Sequence, residues 1–186
     1  MNVVEAMAAR RTIKRFTDRP VTRDQVELLL AAAARAPNHR LTEPWRFYVL
    51  GPAARAAYGR ALGARKAKNA TTPEAAALVV DKVVREHESL PAMLAIAMVE
   101  AEDAAVREED YAAVMMGIQN LSLAAVELGL GTSIKTGGVM ADPAARAAVG
   151  VADGERIVAI INVGEPADPP APKPRRSAAE LTHWRD

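Results

Sequence analysis

An α+β domain is predicted by three features of this chain. Helical and strand patterns alternate along it. Its 186 residues suffice for one domain with a real core rather than two. Only 4% of residues are aromatic and Ala is abundant, so Leu, Val, Ile and Ala must build the core, which suits closely packed helices. The domain is expected to span residues 1–186, with 165–186 as an extended C-terminal arm.

Residues 3–10 suit a short amphipathic helix with Val4 and Met7 on one face. Thr22 is a candidate N-cap, and Val26, Leu29, Leu30 and Ala33 recur at helical spacing up to Arg35, where Ala36-Pro37 stops the helix. After a loop, residues 47–50 read as a buried strand ended by Gly51-Pro52, and an Ala-rich helix runs to Lys68. Residues 72–89 are expected to be helical, with ends obscured by scattered charge. The apolar run 92–99, between Pro91 and Glu100, suits a central strand covered on both faces. Residues 110–128 form a long apolar helix, ended by Gly129 and Gly131. Met115, Met116, Ile118, Leu121 and Val126 leave it so little polar surface that it should be central, or shared with a partner chain. A strand over 132–136, a helix over 143–149 and a strand over 157–163 complete the body. Pro166, Pro169, Pro170, Pro172 and Pro174 keep the arm out of helix and central strand. Leu181, His183 and Trp184 predict that it docks.

Composition excludes several chemistries. With 24 Lys and Arg against 23 Asp and Glu, no strong net field attracts nucleic acid or an anionic membrane. The absence of Cys removes disulfides, thiolate zinc sites, iron–sulfur clusters and thiol nucleophiles. No apolar stretch suits a signal peptide or membrane span, so a soluble, cytoplasmic protein is expected. His39, His87 and His183 lack metal-ligand spacing, and no Walker or Rossmann loop is present. What remains is local: the run Arg10, Arg11, Thr12, Lys14, Arg15, Phe16. Cations and a hydroxyl close to a helix end can bind a phosphate through charge-assisted hydrogen bonds, although a solvated basic face has the same composition.

Four separated segments together resemble the nitroreductase family over nearly the whole chain. The first is the basic run, where the family usually reads Arg-Arg-Ser-x-Arg-x-Phe and Thr12 keeps the hydroxyl. The second is Ala36-Pro37-Asn38-His39 with Glu43-Pro44-Trp45, similar to the small nitroreductase subgroup. The third is Leu128 to Ser133 leading to Ile134, Lys135, Thr136 and Gly137. The fourth is Lys173-Pro174-Arg175-Arg176 with Glu180, Leu181, His183 and Trp184. Glu43 stands where Gln is usual, and Ile134-Lys135 where the subgroup often has Trp-Arg. Both departures bear on substrate class.

The resemblance implies a nitroreductase-like fold, with a small mixed sheet surrounded by helices, in an intertwined homodimer that binds FMN. Arg10, Arg11 and Thr12 would hold the phosphate and ribityl chain, and Lys14 would approach the pyrimidine edge. Arg35 and His39 would reach across the dimer interface, Ile134, Lys135 and Thr136 would flank the ring system, and Arg175 with Lys173 would complete the phosphate clamp. NADH or NADPH would pass hydride to the flavin, and a nitroaromatic, quinone or similar acceptor would take it in a ping-pong cycle. No metal and no catalytic side chain is implied. Blander roles stay open: Arg35 could complement a helix dipole, His39 could bond to loop backbone, Trp45 and the Met115-Met116 pair could be packing, and Lys173 and Arg175 could serve solubility. Other readings are a reductase of an enal, a semialdehyde or a halogenated compound, an FMN carrier or sensor, and a helical interaction protein without cofactor.

Overall fold

The computed structural model describes residues 1–185. Its elements in chain order are α1 (Val3–Ala9), α2 (Arg23–Ala33), β1 (Trp45–Val49), α3 (Pro52–Lys66), α4 (Pro73–Glu88), β2 (Ala92–Val99), α5 (Ala104–Glu127), β3 (Gly131–Lys135), α6 (Pro143–Val149), β4 (Glu155–Gly164) and α7 (Ala178–Leu181). The strands form one sheet in the order β1-β2-β4-β3. Its three ladders are antiparallel, and the parallel component of the sheet is confined to an isolated bridge between Thr12 and Thr132.

The apolar run of β2 has a physical reason. Successive strand residues face opposite sides, and both sides are covered. Leu94, Ile96 and Met98 pack with Val26 and Leu29 of α2 and with Val114, Ile118 and Leu121 of α5. Met93 and Ala95 pack with Tyr58 and Ala61 of α3 and with Ala145 and Val149 of α6. The expected small sheet between helices is therefore present.

Caps set most helix ends. Thr22 accepts from the Gln25 amide while Gln25 answers with its side chain, closing a capping box on α2. Helix α5 starts at Ala104, a turn and a half before the expected Asp110, because Asp103 caps the Ala105 and Val106 amides. After Ala104-Ala105-Val106 the charged run Arg107 to Asp110 interrupts the apolar pattern. Strand β1 begins at Trp45, which pairs with Met98, and ends before Leu50. Helix α7 was not expected. The Ser177-x-x-Glu180 capping box that makes it is nevertheless legible in the sequence.

Two expectations about exposure fail within this chain. The amphipathic face of α1 points outward, with Val4 74% exposed and only Ala6 buried. Trp184 is 90% exposed, so the arm does not dock its indole on its own chain. No described helix is long and apolar enough to cross a membrane.

Candidate functional site

The basic run is held as an extended segment between β3 and the arm. On the β3 side, the Ile13 amide donates to the Thr132 carbonyl at 2.9 Å. On the other, the Thr17 amide donates to the Glu165 carbonyl at 2.9 Å and the Ala167 amide to that of Arg15 at 3.1 Å. Side chains lock the same seam. Thr17 Oγ1 donates to Glu165 at 2.8 Å, Arg19 pairs with Glu165 at 3.0 Å, and Arg15 pairs with Asp168. Those two donors hold the Glu165 carboxyl below its ordinary pKa. Ile13 is buried, while its neighbours Thr12 and Lys14 line an open cleft.

That cleft has a volume of about 730 Å³, within the roughly 300–1,000 Å³ of small-molecule sites. Arg10, Arg11, Thr12 and Lys14 line it from the segment, and Lys173 and Arg175 from the arm. With Arg15, six cations face one carboxylate, Asp168, which Arg15 already engages. Arg11 donates to the Ala8 and Arg10 carbonyls at 2.6 and 2.8 Å, at the C-terminal end of α1. Among the described residues, Arg10, Arg11, Lys14, Lys173 and Arg175 form no salt bridge. The chain as a whole carries a net charge of only +1, so its positive field is concentrated here. A smaller adjoining cavity is lined by Arg10, Arg11 and Thr132, and the buried Thr132 Oγ1 has no hydrogen-bond partner. Unneutralised cations, a second hydroxyl at Thr12 and an orphaned buried hydroxyl fit a phosphate-bearing organic cofactor.

The structure thus brings six of the implied residues together and leaves the others apart. Arg35 is exposed just beyond α2. His39 Nδ1 lies 3.1 Å from Glu109, and Arg40 joins the same carboxylate at 2.9 Å, so the loop is anchored to α5 by side chains. Ile134 packs on the core shared by α2 and α5. Lys135 is half-buried, and burial with the nearby Lys66 charge lowers its pKa. Thr136 is exposed. None of these five lines the cleft within one chain.

Sequence reasoning missed Met7 and Ala8 as lining residues, and the Arg15–Asp168 tie that brings the arm to the run. An acid opposite a basic run was the available signal for the tie. His87 proves to be a core residue. Its Nδ1 bonds the Val83 carbonyl at 2.7 Å, its ring is tilted against Tyr58 at 5.6 Å, and burial pushes its pKa down, helped by Lys135 and Lys66. Trp45 and Met115 pack against the core, as the packing alternative held. No group of side chains that could hold a metal ion occurs among the described residues.

The sequence pattern of the nitroreductase family matches residues 7–165, which contain the basic run, all four strands and the start of the arm. The chain belongs to this family. It is accordingly an oxidoreductase, as the four-segment resemblance implied. YfhC of Bacillus subtilis, an inferred NAD(P)H nitroreductase, is 35% identical over 174 residues, covering 92% of this chain and 88% of that one. The crystal structure of a nitroreductase-like family protein from Bacillus cereus superposes with a TM-score of 0.86 at 30% identity, over 100% and 97% of the two chains. The FMN- and NADPH-dependent nitroreductase NfnB of Sphingopyxis sp. strain HMH shares the fold, with a TM-score of 0.80 at 22% identity over the full length of both chains.

Proposed function

We propose that this nitroreductase-family chain binds FMN in the cation-lined cleft and passes hydride from NADH or NADPH to a nitroaromatic, quinone or similar acceptor, in a ping-pong cycle, as a cytoplasmic homodimer. The observation that carries the reading is the charge of the cleft: six cations against one engaged carboxylate, in a chain whose net charge is only +1. A phosphate monoester brings roughly −1.5 to −2 charges. Arg10, Lys173 and Arg175 would hold that group, with Arg11 fixed beside it by the end of α1. Thr12 would bond the ribityl chain. Lys14, two residues along the same extended segment as Thr12, would set its charge at the pyrimidine edge, where negative charge grows on reduction.

Bound FMN supplies the hydride-accepting and hydride-donating centre. The side chains then have no proton to move, and their tasks are position, electrostatics and shelter. Arg35 and His39, which stand apart from the cleft of their own chain, would serve the site of a second copy. The exposed α1 face and the outward Tyr111 and Met116 of α5 provide apolar surface for that association. The backbone of Ile134, Lys135 and Thr136 would flank the ring.

The test is the visible spectrum of the protein after incubation with excess FMN and desalting, followed by anaerobic addition of NADPH and of NADH. Flavin absorbance that is retained and bleaches supports the proposal. Retention without bleaching by either nicotinamide replaces it with a carrier, and no retained flavin overturns it.

A further inference from the structure

The loop between α2 and β1 contains two residues in the left-handed backbone region that are not glycine: Leu41 at φ 51° and Glu43 at φ 45°. A branched apolar side chain is among the least suited to that region. Leu41 is nevertheless 83% exposed, so core burial does not offset the strain. Side-chain hydrogen bonds hold the loop in this form. The Glu43 amide donates to Asn38 Oδ1 at 2.8 Å, Asn38 Nδ2 donates to Thr42 Oγ1 at 3.1 Å, and the Thr42 hydroxyl donates to Asp110 Oδ1. A longer contact of 3.5 Å joins Asn38 Nδ2 to Asp110 directly.

The end point of this network matters. The Thr42 hydroxyl also lies 3.3 Å from Asn38 Oδ1, and the network ends on Asp110, which lies on α5 and is only 3% exposed. A buried carboxyl without partners is costly, and among the described residues its side-chain donors come from this loop alone. The loop and Asp110 therefore stabilise each other: releasing the strain at Leu41 and Glu43 would strip the buried acid of its donors. The neighbouring Glu109 holds His39 and Arg40, so two adjacent acids of α5 grip the loop at four positions. Strained backbone that is over-determined in this way marks pre-organised functional segments.

We infer that Asp110 is a positioning residue that acts through Thr42 and Asn38, fixing the 38–43 loop so that His39 and the apolar Leu41 are presented in one geometry to the flavin cleft of a second copy. Leu41 then forms an apolar wall where the acceptor sits. This rests on the homodimeric flavoenzyme proposed above. It assigns a task to Asp110, Thr42 and Leu41, none of which lines the cleft of its own chain.

The experiment compares wild type with Thr42→Val, Thr42→Ser, Asp110→Asn and Leu41→Gly. For each it reads amide hydrogen exchange at residues 38–43 without flavin, retention of FMN, and kcat and KM for a nitroaromatic acceptor. Thr42→Val is expected to speed exchange at the Glu43 amide at least tenfold and to raise the acceptor KM severalfold, with kcat nearly unchanged. Thr42→Ser, which keeps the hydroxyl, restores both. Asp110→Asn, if it folds, behaves as Thr42→Val, and Leu41→Gly raises KM without the gain in exchange. Fast exchange in Thr42→Val with unchanged KM overturns the positioning role, and so does a KM that Thr42→Ser fails to restore. Wild type that retains no flavin overturns the enzyme reading, and this inference with it; wild type that retains flavin while the variants match it overturns this inference alone.

Discussion

Gly131 lies directly opposite Gly164 in the β3–β4 ladder, and this glycine pair is what allows the basic segment to lie against the sheet. A Cβ at Gly131 would overlap Ile13 Cγ1 and come within 3.1 Å of Pro166 Cγ. One at Gly164 would stand 2.9 Å from Phe16 Cδ1 and 2.8 Å from Pro91 Cγ. The segment that carries Arg10 to Lys14 and the arm that carries Lys173 and Arg175 thus both meet at a surface without side chains. Cleft geometry begins with this missing volume.

Gly131→Ala should therefore act on the site as well as on stability. Overpacking of this kind costs about 1–3 kcal/mol, and Ile13 is only 3% exposed, so the overlap has little room to relax. A fall in Tm of roughly 2–12 °C is expected for a chain of this size, together with weakened FMN retention. Ile13→Ala added to Gly131→Ala should recover part of the loss, since it removes the overlapping atom. Thermal melts of the four members of that cycle check it, and purely additive losses would contradict the contact.

In the proposed complex Arg10, from the basic segment, and Arg175, from the arm, would hold one phosphate, and Arg10→Ala and Arg175→Ala test this. Each removes a charge-assisted bond of about 1.5–3 kcal/mol, which corresponds to a loss of FMN affinity of roughly 10- to 100-fold. Flavin fluorescence titration at two salt concentrations measures it, and each variant should show a weaker salt dependence than wild type. Arg175 is exposed, Arg10 is half-buried, and neither forms a salt bridge among the described residues, so melting temperature without flavin should change little.

Elements whose apolar pattern is continuous were legible in the sequence, and those made by caps or pairing were less so. β2 at 92–99 and α6 at 143–149 match their expected bounds because burial on both faces and a Pro-to-Gly frame write directly into residue type. The start of α5 is cut off from its apolar body by the charged run Arg107 to Asp110, and α7 depends on one capping box, so periodicity could not find them. In the site, the basic run and Lys173 with Arg175 were legible as charge. Their convergence was not, because it depends on Arg15 meeting Asp168 and on Gly131 admitting Ile13, contacts between residues more than a hundred positions apart. The Asp110 relay was hidden likewise, since its contacts span 68 and 72 positions.

Acid stability should report His87. Its folded pKa lies below the ordinary 6.5, chiefly through burial, so between the two values the unfolded chain binds the extra proton. Its contribution is complete above about pH 6.5 and is lost as pH falls toward the folded value. His87→Gln should lower stability at pH 7.5, because the ring packs on Tyr58, yet flatten the decline between pH 6.5 and 5. Urea unfolding at both pH values measures the slope, and an unchanged decline would assign it to other groups.

Val4→Asp tests the association. Val4 is exposed on α1 and does not line the cleft, so in an isolated chain the change should be nearly neutral. In a dimer that covers this face, a carboxylate meets apolar surface at a cost of a few kcal/mol. Light scattering should then show a shift toward monomer at low protein concentration. Flavin retention should fall in parallel if Arg35 and His39 serve the partner's site. Dissociation with full flavin retention would place the whole site in one chain.

Lys14→Gln separates binding from tuning. Lys14 lines the cleft and forms no salt bridge among the described residues, which leaves its charge for a ligand. A cation near the pyrimidine edge favours reduced flavin over oxidised, because only reduction adds negative charge there. Its removal should weaken the reduced form more than the oxidised one, and the ratio of the two losses appears as a more negative midpoint potential. For a two-electron couple, about 30 mV corresponds to a tenfold difference. Arg175→Ala, which in the proposed complex removes a phosphate contact, should weaken both forms alike and leave the potential near that of wild type. Anaerobic dye-equilibrium titration of the two variants distinguishes the roles: equal potentials would mean that Lys14 belongs to the phosphate clamp and not to the ring.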